Sequence, residues 1–136
     1  MASEVPASLR RLVAERAAHG CEYCILPQAV ALHQHEPDHI VPRQDGGETH
    51  QSNLAFACLR CHRYDEPNVG SFDPLTGRLV PLFNPCTQQW MSHFALDGAT
   101  NRPLTPEARV TVQLLRFNDA DRVAARQRLV DAGLYG

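Results

Sequence analysis

Apolar positions along the chain occur in short groups separated by polar turns, and their spacing predicts a mixture of helices and strands. Apolar residues three and four positions apart predict a helix over residues 8–19, with Ser8 at its start and Gly20 at its end. Residues 29–35 and 38–42 favour short extended segments that prolines interrupt. The first part of the chain therefore predicts one helix followed by two short strands.

The middle of the chain predicts further short elements. Residues 54–57 are apolar and predict a brief strand, and a short helix is expected from about Leu59 until Pro67 stops it. The segment Asp73-Pro-Leu-Thr-Gly77 has the residues of a turn, and apolar runs flank it. This pattern predicts a β-hairpin.

The last third of the chain predicts an extended segment and two helices. The extended segment is expected to pack through Trp90, Phe94 and Leu96. Thr105 followed by proline is typical of a helix start, and this helix is expected to reach about Asn118. Asp119 is a candidate cap for a second helix that Gly133 closes. The whole pattern predicts a single α+β domain over residues 1–136.

The composition is that of an ordinary soluble globular protein. The chain has 136 residues, of which 43% are hydrophobic and 21% charged, and these values exclude disorder, collagen and coiled coil. Its apolar runs are too short for a transmembrane helix, so no membrane partner is expected. The N-terminal residues lack the basic-then-apolar order of a signal peptide, which favours a cytoplasmic location.

The charge pattern argues mildly against a protein that coats nucleic acid by bulk attraction, because the formal net charge is -2. All 13 basic residues are arginine. The predicted C-terminal helices carry Arg109, Arg116, Arg122, Arg126 and Arg128. These arginines are candidates for contact with a DNA backbone, although a solvated helical face with charge pairs along the helix is the favoured interpretation.

Four of the five cysteines form two Cys-x-x-Cys pairs, Cys21 with Cys24 and Cys58 with Cys61. Each pair aims two sulfurs at one point, and two pairs complete a tetrahedral cage for a structural Zn²⁺ ion. The expected reducing compartment favours thiolates on metal over disulfides. A redox dithiol at the first pair is the less favoured alternative. Cys86 stands alone and is expected to be a small core or surface residue.

The stretch between the cysteine pairs is longer than in a plain zinc ribbon and contains a set of ordered motifs. These are Asp38-His39-Ile-Val-Pro42, Gly46-Gly47, Asn53-Leu54 and Cys58-x-x-Cys61-His62. In this order and spacing, together with the first cysteine pair, they resemble the HNH endonuclease family. The resemblance implies a ββα-metal core over about residues 21–68, stapled by the four-cysteine zinc site. The flanking N-terminal helix, and the hairpin and two helices over about residues 70–136, would surround this core.

The resemblance also implies a reaction and the residues that perform it. It implies metal-dependent hydrolysis of DNA phosphodiester bonds, with His39 as the general base that activates water. Asp38 and His62 would hold a catalytic divalent ion, Mg²⁺ or another such as Mn²⁺ or Ni²⁺. Asn53 would support the loop that carries the base through hydrogen bonds to backbone. If Asp38 and His39 share a strand, their side chains point to opposite faces, which suits two different roles.

One position departs from many relatives, in which a Lys-Gly pair follows the last motif. Here Asp65-Glu66 replaces that pair, which removes a basic residue near the expected phosphate backbone. The candidate substrate contacts that remain nearby are Arg43, Arg60 and Arg63. The departure and the low charge motivate an alternative function, a zinc-stapled nucleic-acid- or partner-binding module that has lost catalysis.

Overall fold

A computed structural model describes residues 5–65 and 68–135, and these residues have mixed helix and strand content. The helices are α1 (Ala7–Arg16), α2 (Leu59–Asp65), α3 (Trp90–His93), α4 (Pro106–Leu114) and α5 (Ala120–Asp131). The strands are β1 (Glu36–His39), β2 (Leu54–Ala57), β3 (Gly70–Phe72), β4 (Leu79–Pro81), β5 (Phe94–Asp97) and β6 (Thr100–Pro103). The fold is therefore α+β. The predicted helix stop at Pro67 lies outside the described residues, and no helix within them is long and apolar enough to cross a membrane.

The six strands of the described segments form three two-stranded antiparallel sheets. β1 and β2 pair so that Asp38 lies opposite Ala55 and His39 opposite Leu54. A bond from the Ile40 N–H to the Asn53 carbonyl continues this pairing by one residue. The predicted strand at 54–57, the short helix after it and the 70–81 hairpin are all present.

The end of the N-terminal helix differs from the prediction. α1 starts after Pro6 and ends at Arg16, so Ser8 lies inside the helix and is not its cap. Ala18 and His19 take the left-handed conformation that was expected of Gly20. The helix closes one turn early because the His19 N–H bonds back to the Ala14 carbonyl. Gly20 then continues in an isolated bridge to the chain after the first cysteine pair.

The extended segments predicted before the hairpin are also partly wrong. Residues 29–35 are not a strand, because Gln28–Val30 form one 3₁₀ turn and the chain bends after it. β1 begins at Glu36 and ends at His39, earlier than the predicted 38–42. The Gln28 side chain accepts a bond from the His35 N–H, which turns the backbone toward the sheet. A hydrogen bond between the Gln28 side chain and the His35 backbone is therefore found where the sequence predicted an extended segment over residues 29–35.

Two arginines expected on a solvated helical face are buried. Arg122 and Arg126 of α5 are only 7% and 5% exposed. Arg122 donates to the Leu115 carbonyl at 2.5 Å, and Arg126 donates to the carbonyls of Phe117 and Ala99. The Leu115 carbonyl lies at the C-terminal end of α4, where carbonyls have no partner within the helix, and the other two acceptors lie in loops, so the buried guanidinium donors satisfy them. The spacing of polar residues along α5 does not predict these hydrogen bonds, because their acceptors lie outside the helix.

A partly buried ion pair between Asp73 and Arg109 connects the hairpin turn to α4, with Nε–Oδ1 at 2.8 Å and Nη2–Oδ2 at 2.9 Å. The Arg109 guanidinium, with help from the hydroxyl of Thr76 and the N–H of Leu75, holds the pKa of the Asp73 carboxyl well below its usual range.

Because the folded-state pKa of Asp73 is lowered, we expect this carboxylate to stabilise the fold above its unfolded pKa of about 3.9. That stabilisation is lost as the pH falls from there toward the folded value. The measurement is urea unfolding of wild type and Asp73→Asn at each pH at which both proteins retain zinc and helical circular dichroism, so that two folded chains are compared. Within that range the stability gap should be full at pH 6 and narrow as the pH falls below about 4. A gap independent of pH would contradict the assignment.

Candidate functional site

The four paired cysteines converge at the centre of the larger hydrophobic core, which Phe83, Phe94 and Phe117 complete. All four thiols are buried, and their Sγ atoms lie within 4.8 Å of one another. The Sγ atoms of Cys24 and Cys58, from different pairs, are 3.7 Å apart. Sulfurs around a tetrahedral zinc ion at 2.3 Å lie about 3.8 Å apart, so the cluster fits Zn²⁺.

Backbone geometry holds each cysteine pair in place. In the first pair the Cys24 N–H donates to Cys21 Sγ at 3.4 Å, and Ile25 takes a left-handed conformation to complete the tight turn. In the second pair Cys61 lies in the first turn of α2, where the His62 N–H bonds to the Cys58 carbonyl. Local backbone bonds therefore direct the sulfurs of both pairs toward one point.

The buried Arg122 also contacts the cysteine cluster, with its Nη2 3.5 Å from Cys61 Sγ. Burial alone would lower the pKa of Arg122, but the negative charges of Cys61 and Cys24 raise it above its usual value. Four thiolates and one Zn²⁺ ion carry a net charge of about -2, and a buried guanidinium offsets part of it. Arg122 thus connects α5 to the cysteine cluster.

A second cluster of metal-ligating side chains comprises Asp38, His62 and Asp65, whose ligand atoms lie within 4.8 Å of one another. Asp38 is only 1% exposed, and neither of its carboxylate oxygens has a hydrogen bond within the described residues. Its Oδ1 lies 3.2 Å from His62 Nδ1. A buried carboxylate in this state is costly unless a cation joins it, so the cluster fits a divalent ion.

Asp65, the first residue of the pair that replaces Lys-Gly, is buried in the structure. It is the last residue of α2 and only 4% exposed, and it faces the cluster. The signal in the sequence was its position three residues after His62, which puts both side chains on one helical face. Glu66, the other half of the departure from the Lys-Gly pattern, lies outside the described residues.

His39 follows Asp38 on β1 and is more exposed than its neighbour. Its Nε2 lies 2.9 Å from the hydroxyl oxygen of Thr49, so the loop between the two strands orients the imidazole. The strand therefore presents a carboxylate inward to the metal-ligating cluster and an imidazole toward this loop.

Asn53 holds that loop through backbone hydrogen bonds. Its Oδ1 accepts from the Val41 N–H at 2.9 Å, while Nδ2 donates to the carbonyls of Val41 at 3.1 Å and Glu48 at 2.8 Å. Gly47 is required at the same place, because a Cβ there would stand 1.8 Å from the Val41 carbonyl oxygen. The Gly-Gly and Asn motifs thus serve one structural purpose.

Replacing Asn53 with alanine is expected to destabilise the protein by about 1–3 kcal/mol, because the Val41 N–H and two carbonyls lose their partner. Asn53→Asp keeps the acceptor and loses both N–H donors, so we expect an effect of similar sign. Urea midpoints at constant slope measure the change. Ser52→Ala, at an exposed neighbour, is the comparison variant, and an equal loss in both would contradict the role of Asn53.

The three candidate substrate arginines differ in their surroundings. Arg43 and Arg63 are exposed, one in the loop and one on α2. Arg60 instead forms a 2.8 Å ion pair with Asp121 on α5 and lies over the Tyr64 ring. Arg60 is therefore paired with α5. Arg43 and Arg63 lie on segments that follow the two candidate site histidines, His39 and His62.

Comparison with known proteins gives one match. The family model for HNH endonuclease matches residues 21–66, about one third of the chain, and this segment contains both clusters of metal-ligating residues. No curated protein and no solved structure matched the chain. HNH domains use divalent metals and commonly bind nucleic acid, which indicates a nuclease or nucleic-acid-binding function. The match to the HNH endonuclease family therefore covers the segment in which the four cysteines cluster.

Proposed function

We propose that this protein is a metal-dependent endonuclease that hydrolyses DNA phosphodiester bonds. In this proposal β1, β2 and α2 form the ββα-metal core, and the remaining elements belong to the same domain over residues 1–136. The observation that carries it is the buried Asp38 carboxylate 3.2 Å from His62, with His39 next to it on the strand. Cys21, Cys24, Cys58 and Cys61 would hold a structural Zn²⁺ ion.

The side chains divide the chemistry between them. In the tautomer in which Nε2 donates to the Thr49 hydroxyl oxygen, the Nδ1 atom of His39 would accept a proton from water. Asp38 and His62 would hold Mg²⁺ or another divalent ion such as Mn²⁺ or Ni²⁺, and that ion supplies charge stabilisation at the phosphate and the leaving 3′ oxygen. Hydrolysis would leave 5′-phosphate and 3′-hydroxyl ends.

The arginines would position the DNA. Arg43 and Arg63 are exposed and are proposed to contact phosphates, where a planar guanidinium binds two oxygens at once. Arg60 is a weaker candidate because its guanidinium already forms an ion pair with Asp121.

The test uses zinc-loaded protein with supercoiled and linear DNA in the presence of Mg²⁺, Mn²⁺ or Ni²⁺. Cleavage with a divalent ion, and none after EDTA or in Asp38→Asn, is the expected result. The binding-module alternative predicts DNA affinity without turnover in any of the metals. That alternative is motivated by the Asp65-Glu66 pair and the low net charge, and of this pair Asp65 lies buried beside Asp38 and His62.

A further inference from the structure

We propose that Asp65 is a third ligand of the divalent ion held by Asp38 and His62, so that two carboxylates and one imidazole form the site. This inference rests on the proposed function and deepens it. It gives Asp65 a function at the position where many relatives have the lysine of the Lys-Gly pair. It also favours Mg²⁺ and Mn²⁺ over softer ions, because carboxylate oxygens suit hard cations.

The first support is the placement of Asp65 on α2. Residues three apart on a helix lie on one face, so the Asp65 and His62 side chains both point toward β1. Asp65 is 4% exposed, which is unusual for a carboxylate at the end of a helix. Helix C-termini also disfavour negative side chains, because the backbone dipole is negative there. A cation next to Asp65 is therefore favourable at this position.

The second support is the distance between the groups. Ligand atoms about 2.1 Å from one ion in octahedral geometry lie about 3 to 4.2 Å apart. The measured separation of Asp38 Oδ1 and His62 Nδ1 is 3.2 Å, and all three ligand atoms lie within 4.8 Å. Small rotations of these three side chains would place their ligand atoms around one ion.

The third support is the charge inside the cluster. Asp38 is buried, and its two oxygens have no hydrogen bond within the described residues. A second carboxylate in the same small space adds repulsion between like charges. One divalent ion offsets both charges in formal count, and leaves its remaining coordination positions to water and phosphate.

The experiment measures Mn²⁺ binding to zinc-loaded protein without DNA, by calorimetry and by the EPR signal of free Mn²⁺. Zinc loading keeps the cysteine cluster occupied, so that it does not compete for Mn²⁺. The variants are Asp65→Asn, Asp38→Asn and the matched control Asp45→Asn, which makes the same change at an exposed carboxylate in the loop. Zinc content and circular dichroism check the fold. If Asp65→Asn fails to retain zinc, Asp65→Ser is measured by the same criteria.

We expect one Mn²⁺ site in wild type and an affinity loss of at least about 10- to 100-fold in both Asp65→Asn and Asp38→Asn, with none in Asp45→Asn. Wild-type affinity in Asp65→Asn, with a loss in Asp38→Asn, would overturn the role of Asp65 and leave the nuclease proposal standing. An absence of Mn²⁺ binding in wild type would overturn both.

Discussion

Replacing His39 with alanine is expected to lower the rate of DNA cleavage by about 100- to 10,000-fold, the usual contribution of a positioned general base. Zinc content, unfolding free energy and Mn²⁺ affinity should stay near the wild-type values, because His39 is only partly buried and is not a member of the metal-ligating cluster. The rate is measured at saturating DNA, so that the change reports turnover and not affinity.

Two further variants sharpen this test. Thr49→Val keeps the imidazole and removes the group that orients it, so an intermediate loss of turnover is expected. His33→Ala makes the same histidine-to-alanine change at an exposed position and should leave cleavage unchanged. Full activity in His39→Ala would refute the assigned base, whereas equal losses in His39→Ala and His33→Ala would indicate a general effect of losing histidine.

Removing zinc is expected to unfold the protein. Structural zinc sites bind with an apparent free energy of about 10–16 kcal/mol, comparable to or larger than the total stability of a domain of this size. The four cysteines lie inside the larger core. When the ion is absent, thiolates repel one another or draw water into the core, and either effect disrupts it. Cys58→Ser should have the same consequence as a strong chelator.

The single tryptophan provides the signal for this measurement. The indole N–H of Trp90 donates to the Tyr23 carbonyl at 2.8 Å, between the two cysteines of the first pair. Its fluorescence should therefore change together with the loss of helical circular dichroism as zinc is removed. Cys86→Ser is the matched control, because Cys86 lies outside the cluster and bonds to the Leu54 carbonyl. A chain that stays folded without zinc and forms a Cys21–Cys24 disulfide would support the redox alternative instead.

The sequence predicted the elements whose cause is local. Two Cys-x-x-Cys pairs predict that four sulfurs meet at one point, because each turn aims its two sulfurs the same way. The structure confirms this cluster. The 70–81 hairpin followed from the turn residues between Asp73 and Gly77, and the start of α4 followed from Thr105, whose hydroxyl accepts from the Ala108 N–H.

What the sequence could not predict depends on contacts between distant residues. Arg122 and Arg126 follow an ordinary polar pattern on α5, and only the folded chain reveals the carbonyls and the sulfur that they contact. The burial of Asp65 could not be predicted for a related reason, since Asp38, which lies close to it in the cluster, is on a strand 27 positions away. The roles of Asp38, His39, Asn53 and His62 remain predictions that the experiments above test.

The placement of Asp38 and His39 side by side on β1 has a consequence for heat inactivation. Their Cα atoms are separated by one peptide unit, about 3.8 Å, a distance that covalent bonds maintain regardless of packing elsewhere. The separation that folding must maintain is instead the one between Asp38 on β1 and His62 on α2, whose side chains lie 3.2 Å apart. On warming, activity should therefore be lost when α2 separates from β1, even where Asp38 and His39 keep their spacing.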